Sequence, residues 1–424
     1  LFRSDFGNPL QKQIWETLLG AYQNYAKRGA EQARQAGGAM RSLNNSLKRL
    51  TGQQTGLLNP RLFARKETEE KDLKEGLAKN PALESQHAPA WAQIEKAYAD
   101  LPPMAKRLAF SNVSVSRQAS IASSLVRYSE EIQKPNEKRY PEFGDARLER
   151  FKASLLSPAP IYTEMEEAAL TAWLEEARKN LGANDPFIKA ALGDAEPSEV
   201  VRRAVNETKL KDVAERKALL EGGTEAIQKS TDPMIMLAKR IEPVIRELRA
   251  WNEEKITSVE ARAGEKIAKA RFLVYGKTIP PDANSNLRIT FGKSKGYDED
   301  TTLVPFKTTF YGLFDRAESF GEKPPYDLPV RWREGRDKIN LSTPFNFVYS
   351  ADTIGGMSGS PIVNRNAEFV GINFDSNLQK LSNRYWYIEE DEGSRAIGVH
   401  SAGILEALRK LYDAGNLAKE LTGK

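Results

Sequence analysis

The sequence predicts an α+β protein, with an α-helical domain over residues 1–275 and a β domain over residues 276–424 that closes with one helix. Three observations predict it. Apolar residues recur at helical spacing through the first two-thirds of the chain, as in Ile14, Leu18, Tyr22 and Tyr25 or Leu43, Leu47 and Leu50. Pro280, Pro281, Asn284 and Asn286 then interrupt the pattern. Beyond them the period becomes two, first in Leu287, Ile289 and Phe291 and again in Phe345, Phe347 and Tyr349.

Each element has a local reason. Thr163 followed by Glu166 reads as a capping box ahead of the helix carrying Met165, Leu170, Trp173 and Leu174. Asp232-Pro233 reads as an N-cap followed by proline at the first helical position, because that position needs no amide donor. In the β half, Asn364–Ala367 predicts a turn before a strand over Phe369–Phe374. Ser401 is the expected cap of a last amphipathic helix bearing Ile404, Leu408, Leu411 and Tyr412.

Composition excludes several function classes. No apolar run approaches the ~18 residues that span a bilayer, so no membrane span is expected. Sixty-three basic and 58 acidic residues are interspersed, giving a net charge of +5 without a basic stripe, which argues against a nucleic-acid footprint. The absence of cysteine removes disulfides, thiolate metal sites and cysteine nucleophiles. The only histidines, His87 and His400, leave few sources for an imidazole base. The chain starts at Leu1 without a leader, so an upstream segment carrying any targeting signal is expected.

The motif that carries chemistry is Gly356-Met357-Ser358-Gly359-Ser360-Pro361. A chymotrypsin-type nucleophile sits in a glycine-rich turn because the residue two before the serine must offer its amide, with the serine's own, to the oxyanion. Gly356 and Ser358 have that spacing, which makes Ser358 the candidate nucleophile and Gly356 the candidate oxyanion donor. A serine also needs a base within reach. His87 lies among helical segments and His400 follows the serine on a step into the last helix, so neither is expected to serve.

At these residues the chain resembles the dipeptidyl-peptidase 7 and 11 group of bacterial serine exopeptidases. The resemblance takes in Pro281-Asp282-Ala283-Asn284-Ser285 with Leu287-Arg288 and Gly292, the loop Thr353–Pro361, the strand Gly371–Asn377, Arg395-Ala396-Ile397 and Ser230–Pro233. It implies a chymotrypsin-like double barrel interrupted by a helical cap domain. Residues 1–275 resemble the cap, and residues 276–424 the second barrel with its C-terminal helix. The catalytic histidine and aspartate would belong to a first barrel before Leu1, so the 424 residues by themselves are expected to be inactive.

The resemblance also implies a substrate: peptides with a free N-terminus, from which dipeptides are released through a Ser358 acyl-enzyme. It nominates Asp375, seventeen residues after Ser358, as the carboxylate that binds the α-ammonium, and Asn45 as a second anchor. Ser376 takes the position that lines the specificity pocket. With no guanidinium there, an uncharged or apolar side chain is the expected preference. Met357 replaces the asparagine that usually precedes the serine in this group, removing a side-chain brace from the turn, and His400 replaces a structural aspartate. No cofactor or metal is implied, and a homodimer in the periplasm or at the cell surface is expected by resemblance alone. Two alternatives stay open. One is a non-catalytic peptide-binding protein that keeps the Asn45 and Asp375 anchors, and the other is a chymotrypsin-like endopeptidase.

Overall fold

The computed structural model describes residues 1–278, 287–385, 387 and 393–423. The Pro281–Ser285 motif and the Pro280–Asn286 break therefore lie outside the described residues. The chain divides into two compact units, Leu1–Leu50 with Glu67–Pro280, and Thr51–Lys66 with Pro281–Lys424. The α+β class is the one observed.

Every regular element described in the first unit is helical. Its core gathers Leu125, Leu170, Leu174, Phe110, Phe187, Val201, Ile235 and Ile241, all nearly inaccessible, with Ile14 and Leu18 among them. Asp232 caps the helix Pro233–Asn252 as expected, accepting from the amides of Met234 and Ile235. The Thr163–Glu166 expectation needs correction. Tyr162, not Thr163, precedes the helix Thr163–Leu181, and the Glu166 carboxylate turns to the helix Arg117–Glu131. There it accepts from the Ser116 hydroxyl at 2.6 Å and the Gln118 amide at 3.0 Å. The carboxylate completes a buried cap on another helix, and burial pushes its pKa up.

In the second unit, β1 (Tyr297–Glu299) and β2 (Thr302–Val304) form a hairpin. A five-stranded antiparallel sheet is built from β3 (Lys307–Thr309), β4 (Pro344–Tyr349), β5 (Pro361–Val363), β6 (Phe369–Ser376) and β7 (Ala396–His400) in the order β3-β4-β7-β6-β5. Gly371 and Gly398 are required by packing. A Cβ on Gly371 would stand 2.8 Å from the Phe347 ring and one on Gly398 3.0 Å from it, so the two glycines leave the space that the ring fills.

Four expectations for this half are corrected. Leu287, Ile289 and Phe291 form no strand and are 97%, 86% and 91% exposed, because alternation specifies a strand only where a neighbour supplies its hydrogen bonds. The half is not purely β: Phe310, Phe314 and Ala317 are the buried residues of a helix, Phe310–Ser319, and the Phe310 ring packs against Trp332 and Phe345. The C-terminal region holds two helices, Ser401–Lys410 and Gly415–Thr422, so Leu411 and Tyr412 lie past the end of the first. His400, not Ser401, caps that helix, its Nδ1 accepting from the Ala402 amide at 3.1 Å. The strand pattern of Phe345, Phe347 and Tyr349 and the turn before Phe369 are present as read.

Candidate active site

The loop from Ala351 to Ser360 joins β4 to β5 and carries Ser358, which is exposed. Its entry is pinned by three side chains. Tyr387 donates its hydroxyl to the Ser350 carbonyl at 2.8 Å, Lys380 donates its ammonium to the Ala351 carbonyl at 2.8 Å, and Arg288 pairs with Asp352 at 2.6 Å. Lys380 is 3% exposed, and burial pushes its pKa down to about 8 against a raising influence from Asp352.

The tip is bound to β6. The Gly359 amide donates to the Asn373 carbonyl at 2.8 Å, and the Asn373 amide donates to the Ser360 carbonyl at 3.0 Å. Gly356 and Gly359 take φ values of 101° and 91°, a region that side chains disfavour, and that is why glycines flank the serine. The Ser358 hydroxyl donates to the Phe374 carbonyl at 3.3 Å. Among the described residues no acceptor stands on the Gly356 or Ser358 amide.

Phe374 is the extra residue of a bulge, since Asn373 pairs with Gly398 while Asp375 pairs with Ile397. Asp375 follows at once, exposed, accepting from the Ser376 amide at 2.8 Å. The fold thus brings Ser358, Gly356, Asp375 and Ser376 to one end of β6. Asn45 is an exposed residue of the helix Ala30–Leu57 in the first unit.

Neither histidine is at the serine. His87 is 2% exposed in the helical unit, with Nδ1 2.9 Å from the Lys266 carbonyl. His400 pairs with Gly371, three residues before Phe374 on β6, roughly 10 Å along the strand. Its pKa is lowered by burial and then by Lys307, and Nδ1 is occupied as a helix cap.

The turn does not lack side-chain support, contrary to the expectation from Met357. Its sulfur accepts from the Ile354 amide at 3.4 Å, and Asn373 donates its Nδ2 to the Met357 carbonyl at 3.1 Å. Sequence reasoning passed over Asn373. The available signal was a polar residue within the apolar run Val370-Gly371-Ile372-Asn373-Phe374. It also passed over Lys380 and Asp352, and it named Arg288 only as part of the resemblance, without a partner, because these pairings depend on contacts remote in sequence.

Among the described residues no group of three or more His, Asp or Glu could hold a metal ion, and no helix is long and apolar enough to cross a membrane. The sequence profile of Peptidase S46 matches residues 2–423. The Asp/Glu-specific dipeptidyl-peptidase of Shewanella putrefaciens is 27% identical over 464 aligned residues, covering 99% of this chain and 62% of that protein. Dipeptidyl-peptidase 7 of Porphyromonas endodontalis is 28% identical over 196 residues, 45% of this chain and 24% of its own length. The crystal structure of Porphyromonas endodontalis DPP11 with the dipeptide Arg-Glu superposes with a TM-score of 0.74 at 19% identity, covering 99% of this chain and 61% of that one. The chain shares that fold, and it spans about three-fifths of the length of these two proteins that it matches from end to end.

Proposed function

Because the chain belongs to the Peptidase S46 family, we propose that it carries the nucleophile of a serine dipeptidyl-peptidase, in the second of two chymotrypsin-like barrels. The observation that carries the reading is the hydrogen-bonded splice of the Ser358 turn to β6, which leaves an exposed hydroxyl against Phe374 and an exposed carboxylate, Asp375, one residue on.

In this reading Asp375 pairs with the substrate's α-ammonium, and a fixed distance from that pair selects the second peptide bond. Ser358 Oγ attacks that carbonyl and loses its proton to the base, while the Gly356 and Ser358 amides receive the oxyanion. Collapse expels the shortened peptide, whose amine takes the proton from the base, and water then releases the dipeptide from the acyl-enzyme. The base is an imidazole from outside these 424 residues, since His87 and His400 are both committed elsewhere. Asn45, carried by resemblance, is a second recogniser of the ammonium. Ser376 favours an uncharged or apolar side chain at the cleaved position. A homodimer in the periplasm or at the cell surface completes the reading, open to light scattering and cell fractionation.

The test uses the full-length gene product with dipeptidyl substrates bearing free or acetylated N-termini. Release from free substrates alone, lost in Ser358→Ala, is the expected result. Equal cleavage of blocked substrates points instead to an endopeptidase, and peptide binding without turnover or fluorophosphonate labelling points to a binding protein. Comparing Leu with Glu before the cleaved bond tests the role of Ser376.

A further inference from the structure

Asn373 holds three of the four residues from Met357 to Ser360 and none of its bonds falls on Ser358. Its side-chain amide donates to the Met357 carbonyl at 3.1 Å, its carbonyl accepts from Gly359 at 2.8 Å and its amide donates to Ser360 at 3.0 Å. It is 5% exposed. Its side-chain oxygen is in turn occupied by the Tyr349 hydroxyl, which donates at 2.6 Å from β4. Burial pushes the pKa of Tyr349 up, so the phenol keeps the proton it donates.

The Met357 carbonyl and the Ser358 N–H belong to one planar trans peptide and point in opposite directions. The carbonyl accepts both from Asn373 Nδ2 on β6 and, at 3.2 Å, from the Ser360 amide, and a carbonyl held inward by these donors turns the Ser358 N–H away from them, outward. The Tyr349 bond decides which end of the Asn373 amide faces the carbonyl. Reversing the amide would set its oxygen against the Met357 oxygen.

We propose that Tyr349 and Asn373 are positioning residues of this site: through the Met357 carbonyl they aim the Ser358 amide at the oxyanion. The inference rests on Ser358 being the nucleophile. It predicts an effect on the tetrahedral state and little on the substrate's ground state.

The experiment compares Asn373→Ala, the isosteric Asn373→Asp and Tyr349→Phe with wild type and Ser358→Ala in the full-length protein. It reads kcat and KM separately, together with the affinity of a dipeptide boronate, whose tetrahedral adduct puts an oxygen in the oxyanion site, and of the released dipeptide. Loss of an oxyanion donor lowers kcat by about 10²–10³; misaiming one is expected to lower it about 10- to 100-fold in both Asn373 variants and less in Tyr349→Phe. Boronate affinity should fall in parallel, with KM and dipeptide affinity within about twofold of wild type. Should Asn373→Ala fail to fold, Tyr349→Phe decides, because it removes one oxygen and no packing volume. The proposal is overturned if kcat and boronate affinity stay at wild-type values, or if KM and dipeptide affinity degrade as much as kcat. Turnover surviving in Ser358→Ala would sink the nucleophile reading itself, and this proposal with it.

Discussion

Gly56→Ala should destabilise the protein, although the same change in a helix interior ordinarily does the opposite. Gly52 and Gly56 lie one turn apart near the end of the helix Ala30–Leu57, facing the short 3₁₀ segment Gln379–Arg384 that follows Asp375 and Ser376. A Cβ on Gly56 would stand 2.2 Å from the Ser382 Cβ and 3.2 Å from its Cα, where carbon atoms normally rest about 3.5–4.0 Å apart. Ser382 is 3% exposed, so it cannot swing away. Alanine gains about 1 kcal/mol of helix propensity over glycine, whereas overpacking a filled contact costs about 1–3 kcal/mol. A net loss of up to about 2 kcal/mol follows. Gly38, in the same helix, has nothing within 4 Å of its Cβ position and is the internal control. Gly38→Ala should gain about 1 kcal/mol. Urea unfolding of both variants reads the signs, and hydrogen exchange over 379–385 locates the strain. A Gly56→Ala protein stabilised as much as Gly38→Ala would refute the close approach.

Lys380 gives the pH prediction. Its pKa in the fold is about 8 against an ordinary 10.5, so below pH 8 the fold bears the cost of a buried charge. Between 8 and 10.5 the folded protein has released a proton that the unfolded chain keeps, and stability rises with pH. That gap corresponds to about 3 kcal/mol at most. The unfolding free energy of wild type should therefore rise by up to this amount relative to that of Lys380→Met across the window, and parallel pH profiles would contradict it. Asp375→Asn removes the charge proposed to hold the ammonium; a charge-assisted hydrogen bond contributes about 1.5–3 kcal/mol. About 10- to 100-fold should be lost in kcat/KM on free N-termini, with little change on acetylated substrates, and an equal loss on both would remove Asp375 from recognition.

Much of this protein can be read locally. Helical spacing in Ile14, Leu18, Tyr22 and Tyr25, the Asp232-Pro233 start and the alternation of Phe345, Phe347 and Tyr349 each concern residues within a few positions of one another, where backbone geometry and burial periodicity suffice. The Gly356–Pro361 turn belongs with them, because its glycines answer a positive φ that the sequence itself announces. Residues whose partners are distant could not be read in this way. Glu166 caps a helix 48 residues before it, and Gly56 is a glycine because of Ser382. Leu287, Ile289 and Phe291 have the right alternation, yet they form no strand, since hydrogen bonds to a neighbour make one. The same division runs through the site. The sequence by itself determined the Gly356–Pro361 turn that presents Ser358, because a glycine-rich turn is a property of consecutive residues. Only the tertiary structure decided what fixes that turn to β6 and pins its entry, because Tyr349, Asn373 and Lys380 reach it from elements remote in sequence, and their hydrogen bonds depend on register and burial, which no local pattern encodes.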